Sequence, residues 1–191
     1  MTKAPATGTQ LSTFAGELLA RIHGNLMREM GNGAGGAFGR VVQEAVELAM
    51  QVMDPGLRRN PGAGIPDCWC ILGAQRCACE IKYTDNAQVS LGIRDVQGMH
   101  LAGDAEGSRL IVVDIQFPAR LWVIDAQHLV PGRFRPSGHA HLHQTEESGL
   151  LAVELERLLR LADTGLVGAE AEAKALLRKV AGMTTQASVA P

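Results

Sequence analysis

The chain lacks a long uninterrupted apolar segment. None of its apolar runs reaches the roughly 20 residues that a membrane-spanning helix needs. Residues 1–10 contain no apolar core of the kind found in signal peptides. We therefore expect a cytoplasmic protein with no membrane partner. Apolar residues make up 46% of the chain and charged residues 20%, which is enough for a folded domain with a core.

An excess of positive charge is also missing. The formal net charge is −2, which gives no support to a nucleic-acid partner at the level of the whole molecule. Any contact with nucleic acid must therefore depend on local clusters. Two pairs of arginines are candidates for phosphate binding, Arg58 with Arg59 and Arg133 with Arg135.

Four cysteines lie close together between positions 68 and 79. Structural zinc sites favour Cys-x2–4-Cys spacing in turns, whereas both pairs here are Cys-x-Cys inside predicted strands. Disulfides are uncommon in a reducing compartment. Buried free thiols that fill one side of a sheet are the favoured interpretation. The alternating histidines of residues 139–143 could likewise bind a metal, but the absence of nearby acids or cysteines favours a polar surface.

Hydrophobic periodicity predicts an α/β fold with a central mixed sheet of four to five strands flanked by helices. The predicted helices cover residues 11–30, 40–53, 89–102, 148–162 and 169–180. The predicted strands cover residues 65–72, 75–83, 109–116 and 120–125, with a loop or irregular strand at 131–143. The glycine-rich residues 31–39 predict a hinge or linker, because no Gly-Lys-Ser/Thr follows to make a phosphate loop.

A β-hairpin around Gly73-Ala74 places charged groups together. The cross-strand pairs counted outward from this turn are Leu72–Gln75, Cys70–Cys77, Trp69–Ala78, Cys68–Cys79 and Asp67–Glu80. Because side chains alternate between faces, Asp67, Glu80 and Lys82 share one face and the four cysteines share the other.

Two directly opposed carboxylates have Cβ atoms about 5 Å apart and repel each other. A divalent cation such as Mg²⁺ would compensate Asp67 and Glu80 with hard oxygen ligands and leave positions for water and a substrate phosphate. The alternative is a solvated sheet edge at which Lys82 is an ordinary salt-bridge partner. The residue types alone leave both interpretations open.

Pro66-Asp67 followed by Glu80-Ile81-Lys82 resembles the motif of the PD-(D/E)xK nuclease superfamily, which includes many restriction endonucleases and the archaeal Holliday junction resolvases. The segment Gly64-Ile65-Pro66-Asp67 is similar to the GxPD form seen in junction resolvases. The order of predicted elements from position 38 to 125 is also similar to the α-β-β-α-β-β core of the family. The resemblance implies a nuclease core at residues 38–130, a helical extension and linker at 1–37, and further helices and a tail at 131–191.

The resemblance implies an Mg²⁺-dependent DNA endonuclease, with Mn²⁺ as a substitute ion and no organic cofactor. Asp67 and Glu80 would be metal ligands, joined by the backbone carbonyl of Ile81, and Lys82 would be catalytic. The family often has a glutamate on the preceding helix, and some branches have a glutamine on the following one.

Glu44 and Gln97 are the candidates for these two additional positions. Glu44 lies about 120° from the middle of the apolar stripe of its helix, whereas Glu47 lies about 180° away and is expected to point to water. Gln97 follows Val89 and Ile93 at helical spacing and is expected on the inward face, where it would orient Lys82 or the substrate.

Three functions follow from the resemblance. The leading one is a restriction or defence endonuclease, and the second is a structure-specific junction resolvase. Both usually act as homodimers, and residues 11–30 and 148–180 offer apolar helical surfaces for a dimer unless they only cover the core. The third is a non-catalytic subunit on a nuclease-like scaffold that binds protein or nucleic acid, which the low net charge favours.

Overall fold

The structure is a computed structural model, which describes residues 8–60, 66–100, 105–138, 144–145 and 147–163. The helix predicted at 169–180, the histidines of 139–143, and Gly64 and Ile65 lie outside these residues. Within the described part of the chain, none of the helices combines the length and apolar character that crossing a membrane requires.

The protein is α/β, with a mixed six-stranded sheet and a separate two-stranded ribbon. The helices are α1 (Thr13–Met30), α2 (Ala34–Met53), α3 (Ile93–His100) and α4 (Glu147–Ala162). The strands are β1 (Thr9–Gln10), β2 (Arg58–Arg59), β3 (Cys68–Leu72), β4 (Gln75–Thr84), β5 (Val89–Leu91), β6 (Gly107–Asp114), β7 (Arg120–Asp125) and β8 (Gly132–Phe134).

The sheet order is β1-β7-β6-β4-β3-β2, with β4 and β6 parallel and the other neighbours antiparallel. The four longest strands are those predicted from the sequence. The two additional strands, β1 and β2, are two-residue edge strands without a periodic pattern of their own. Strands β5 and β8 form the separate ribbon.

Helices α1, α2 and α4 cover one face of the sheet and share one hydrophobic core with it. The apolar stripe of α1 comprises Leu18, Leu19, Ile22 and Leu26, which are all buried. The inner faces of these helices therefore cover the core, as in the alternative to a dimer surface. The division of the chain at residues 37 and 130 stays a prediction.

The glycine-rich segment differs from the prediction. Helix α1 does end at Met30, where Gly31 adopts a positive φ of 55°. The interruption is only a short 3-10 turn, however, and α2 begins at Ala34 rather than at Arg40. A Cβ atom at Gly35 would lie 3.2 Å from Tyr83 Oη, so the missing side chain lets the first turn of α2 approach β4 closely. The segment is therefore mostly helix, and the prediction of a hinge or linker is wrong.

A second difference concerns residues 89–102, which were predicted as one helix. Residues Val89–Leu91 instead form β5, and α3 begins at Ile93. The side chains of Val89 and Leu91 are buried, whereas Ser90 between them is exposed. This period of two is the strand pattern, and three residues are too few to distinguish it from a helix turn in the sequence.

The cysteine face of the hairpin agrees with the prediction. The pairs Cys68–Cys79 and Cys70–Cys77 are in register, and all four thiols are free and buried in the core beneath α2. Hydrogen bonds that the Cys79 thiol forms with Cys68 and Cys70, together with burial, keep the pKa of Cys79 well above its usual range. A protonated, enclosed thiol behaves as a small apolar side chain, so the cysteines act as core packing.

Candidate active site

Asp67 lies where the count of strand pairs puts it, beside β4 and next to Glu80. It precedes β3, and its Oδ2 atom accepts the N–H of Ile81 at 2.7 Å. Its backbone carbonyl accepts the N–H of Asn60 at 2.8 Å. These two bonds hold the carboxylate beside β4, at the position where β4 extends beyond the end of β3.

The same arrangement orients the backbone of Ile81. In an extended strand the N–H and C=O of one residue point to the same neighbouring strand. Because the N–H of Ile81 bonds to Asp67, its carbonyl lies on the Asp67 side of β4 as well.

Lys82 is held between two acids. Its Nζ atom is 2.6 Å from Oε1 of Glu80 and 3.3 Å from Oδ1 of Asp95. Asp95 belongs to the first turn of α3, where its Oδ2 accepts the N–H of Gly92 at 2.8 Å. The ammonium group is therefore fixed between the sheet and the start of α3.

Burial and charge shift the pKa values of these groups. Burial, reinforced by the neighbouring charge of Asp67, raises the pKa of Glu80 to about 7. Burial also raises the pKa of Asp67. Burial alone would lower the pKa of Lys82, but the carboxylates of Glu80, Asp95 and Asp67 together outweigh it and raise that pKa. The two acids thus repel each other in a poorly solvated place, and a nearby cation stabilises their ionised forms.

The sequence did not identify Asp95 as a site residue. Gln97 was expected on the inward face of this helix, but its side chain is exposed, and the acids beside Lys82 are Glu80 and Asp95. Val89 lies in β5 and not in α3, so its spacing to Gln97 does not define the inward face of the helix. The correct start of α3 puts Asp95 at its third position, a usual place for an acid near a helix N-terminus.

The expectation for the α2 glutamates is half wrong. Glu44 is buried as expected, but Glu47 is also buried, at 4% exposure, instead of pointing to water. Arg59 reaches both, with Nη1 3.0 Å from Oε1 of Glu44 and Nε 3.2 Å from Oε2 of Glu47. The helical wheel of α2 could not include Arg59, because it comes from β2 in a different part of the fold.

The pKa of Glu47 connects this ion-pair cluster to the site. Burial raises it, and the charge of Asp67 contributes in the same direction. Glu47 is thus near enough to Asp67 to feel its charge. Arg59 is the counter-ion of both helix glutamates, and the charge of Asp67 reaches Glu47.

The other arginines lie at different places. Arg59 binds two glutamates, so its position does not match the phosphate-binding role expected of it. Arg58 lies on the opposite side of β2, with its guanidinium carbon 5.7 Å from the ring centre of Trp69. Arg133 on β8 and Arg135 just after it are exposed on the ribbon that pairs with β5.

The donor set suits a hard divalent cation. Asp67 and Glu80 supply carboxylate oxygens whose repulsion a cation would relieve, and the carbonyl of Ile81 faces the same side. Within the described ranges, no group of three or more histidines, cysteines or acids is already arranged around one common point. Lys82 instead occupies Oε1 of Glu80.

Comparison with protein-family models finds no match, and comparison with curated proteins finds no significant relative. The residues of the site are therefore the basis for a functional proposal.

Proposed function

We propose that the protein is an Mg²⁺-dependent DNA endonuclease that hydrolyses phosphodiester bonds. The observation that supports this most is the convergence of Asp67, Glu80 and Lys82 at the end of the β3–β4 hairpin. A buried acid with a pKa near 7, a second acid beside it and an ammonium group suit a site that binds a cation and a phosphate together.

Each residue has a role in this proposal. Asp67, Glu80 and the Ile81 carbonyl would hold Mg²⁺, or Mn²⁺ in its place. When bound, the ion would acidify a water molecule and polarise a phosphoryl oxygen. Lys82 would then stabilise the negative charge that develops on the phosphate and position the attacking water.

Asp95 joins the set as a positioning residue, because it holds Lys82 from α3. Glu44 and Glu47 are candidates for the outer part of the metal site, reached through water. Gln97 is exposed, so a role for it depends on the bound substrate rather than on contact with Lys82.

The proposal includes a homodimer, because cutting a duplex requires attack on two strands. Exposed apolar side chains remain on the outer face of α4, where Leu150, Val153 and Leu161 are 65%, 64% and 47% exposed. We propose restriction or defence cleavage as the leading function and junction resolution as the alternative. A non-catalytic subunit on the same scaffold is the third proposal.

The test is cleavage by the purified protein of supercoiled plasmid, linear duplex and a four-way junction, each in Mg²⁺, Mn²⁺ or chelator. We expect cleavage only with a divalent ion, and expect Lys82→Ala and Glu80→Gln to abolish it. The exposed Glu17→Gln on α1 is the matched control and should cleave as the wild type does. Preference for the junction would support the resolvase alternative. Binding without cleavage under every condition would contradict an enzyme and support the non-catalytic subunit.

A further inference from the structure

The two faces of the sheet are covered differently. Opposite the large helices, α3 and the β5–β8 ribbon bury a second core against β6 and β7. No described residue of β2 or β3 belongs to this second core. Among the described elements, neither α3 nor the ribbon shares a core with the outward side of the hairpin next to the candidate active site, where Ile71 is 52% exposed.

This outward surface is apolar and cationic. The outward residues of β2, β3 and the first half of β4 are Arg58, Trp69, Ile71, Arg76 and Ala78, which we call the hairpin face, although Ala78 itself is fully buried. Several of them border a depression of about 110 Å³ that also reaches Asp54 and Gly56. The hairpin face contains no acid between the candidate active site and the turn at Gly73-Ala74.

Two acids that border the hairpin face, Asp54 and Glu106, are engaged with the backbone. Asp54 accepts the N–H groups of Gly56 at 2.9 Å and of Ile71 at 2.7 Å. Glu106 accepts the N–H of Arg76 at 3.2 Å. The guanidinium group of Arg76 forms no ion pair with any described residue, and it is exposed to solvent.

Trp69 is the central residue of the hairpin face. Trp69 is half-buried and pairs in register with the small residue Ala78 on the next strand, and the guanidinium carbon of Arg58 lies 5.7 Å from its ring centre in a cation–π contact. An aromatic ring fixed on a sheet and flanked by arginines suits a nucleobase, because every base presents a π-face to stack on. The base must be unpaired, since the faces of paired bases are already stacked in the duplex.

The hairpin face continues directly from the candidate active site. Trp69 is two residues after Asp67 and on the same face of the sheet, which places it about 7 Å from Asp67 along the chain direction. Arg76 is four residues before Glu80 on the neighbouring strand, about 13 Å away. One strand of DNA could therefore pass from Asp67 and Glu80 over Trp69 and bring a phosphate to Arg76.

We infer that the hairpin face binds an unpaired segment of DNA next to the bond to be cut, with a base stacked at Trp69 and a phosphate at Arg76. This rests on the proposed nuclease function for its position, and it names the substrate class as DNA with a single-stranded region. A net charge of −2 agrees with it, because a short unpaired strand needs fewer cationic contacts than a long duplex footprint.

The test measures binding rather than cleavage, in chelator, with a fluorescently labelled oligo(dT) and an unlabelled duplex as competitor. Trp69→Ala and Arg76→Ala should each weaken binding, Trp69→Ala by about tenfold, and Trp69→Tyr should retain most of it. Arg94→Ala, an exposed arginine on α3, is the matched control and should bind as the wild type does. Melting curves identify any variant that fails to fold. If Trp69→Ala fails to fold, the test relies on Arg76→Ala and on Trp69→Tyr.

Intrinsic fluorescence gives a second measurement, because the chain has two tryptophans and Trp122 is buried at 3% exposure. Oligo(dT) should quench the wild type and Trp122→Phe, but not Trp69→Phe. Unchanged binding by both Trp69→Ala and Arg76→Ala, or equal competition by duplex, would overturn the inference even if the protein cleaves DNA. Oligo(dT) binding at Trp69 without any cleavage would leave this inference standing while the nuclease proposal fails.

Discussion

At the scale of single residues, the site is a balance between charges that repel and charges that compensate. Counting cross-strand pairs outward from the turn at Gly73-Ala74 predicts that Asp67 and Glu80 are neighbours, because the position of the turn fixes the register of the hairpin. Asp95 and the burial of Glu47 could not be predicted in this way. Each depends on a partner from another element, Lys82 on β4 and Arg59 on β2, which a single helical wheel does not contain.

The first prediction concerns Asp67. Asp67→Asn removes a negative charge beside Glu80, but its amide oxygen can still accept the N–H of Ile81. In chelator the variant should be as stable as the wild type or up to about 1 kcal/mol more stable. Urea unfolding measures this. A clear loss of stability would mean that Asp67 is a structural ion-pair partner, and the metal site would lose its main physical support.

The second prediction concerns pH. The folded pKa of Glu80 is about 7, above the ordinary 4.5, so the folded protein keeps a proton that the unfolded chain has lost between these values. Stability in chelator should therefore fall as pH rises from about 4.5 to 7, by about 3 kcal/mol at most from this group. Glu80→Gln should weaken the dependence, whereas Glu106→Gln should not. The raised pKa values of Asp67 and Glu47 act in the same direction and should leave a residual slope. Stability that rises over this range would contradict the assignment.

At the scale of elements, long periodic segments could be predicted and short or glycine-rich ones could not. The stripes of α1 and α4, the alternation of the β3–β4 hairpin and the apolar runs of β6 and β7 predict these elements within a few residues. Strand β5 is too short for its period to be recognised, and the start of α2 has low intrinsic helix propensity. The close contact between Gly35 and Tyr83 depends on the tertiary structure, so it could not be predicted from the local sequence.

The third prediction compares two adjacent glycines in the first turn of α2. Gly36 is exposed, and a Cβ atom there would have no contact closer than 3.9 Å, so Gly36→Ala should stabilise the protein by about 0.5 kcal/mol. A Cβ atom at Gly35 would crowd the Tyr83 hydroxyl at 3.2 Å, and its hydrogen bond to the Gly35 carbonyl would be disturbed. Gly35→Ala should therefore be neutral or destabilising. Thermal melting measures both, and equal stabilisation by the two changes would contradict the packing described here.

At the scale of the whole molecule, the charge distribution decides how a nucleic acid could be held. The net charge is −2, and Arg59 is already bound by two glutamates. The α/β class and a mixed central sheet could be predicted from the sequence. The uneven covering of the sheet could not, because it depends on where α3 and the β5–β8 ribbon pack.

The fourth prediction follows from this charge distribution. The logarithm of DNA affinity should fall only shallowly with the logarithm of salt concentration, with a slope of about −3 per subunit. Loss of Arg58, Arg76, Arg133 and Arg135 should reduce that slope, measured by fluorescence anisotropy in Ca²⁺. A steep slope that survives loss of all four arginines would place the DNA footprint on another surface.

The central claim is that Asp67 and Glu80 form a divalent-metal site, and titration with Mn²⁺ followed by electron paramagnetic resonance tests it most directly. The wild type should bind Mn²⁺, and Asp67→Asn and Glu80→Gln should lose that binding. Lys82→Ala should bind at least as tightly as the wild type, because Lys82 now occupies Oε1 of Glu80 and competes for it. Binding that is absent in the wild type, or unchanged in Asp67→Asn and Glu80→Gln, would contradict the account.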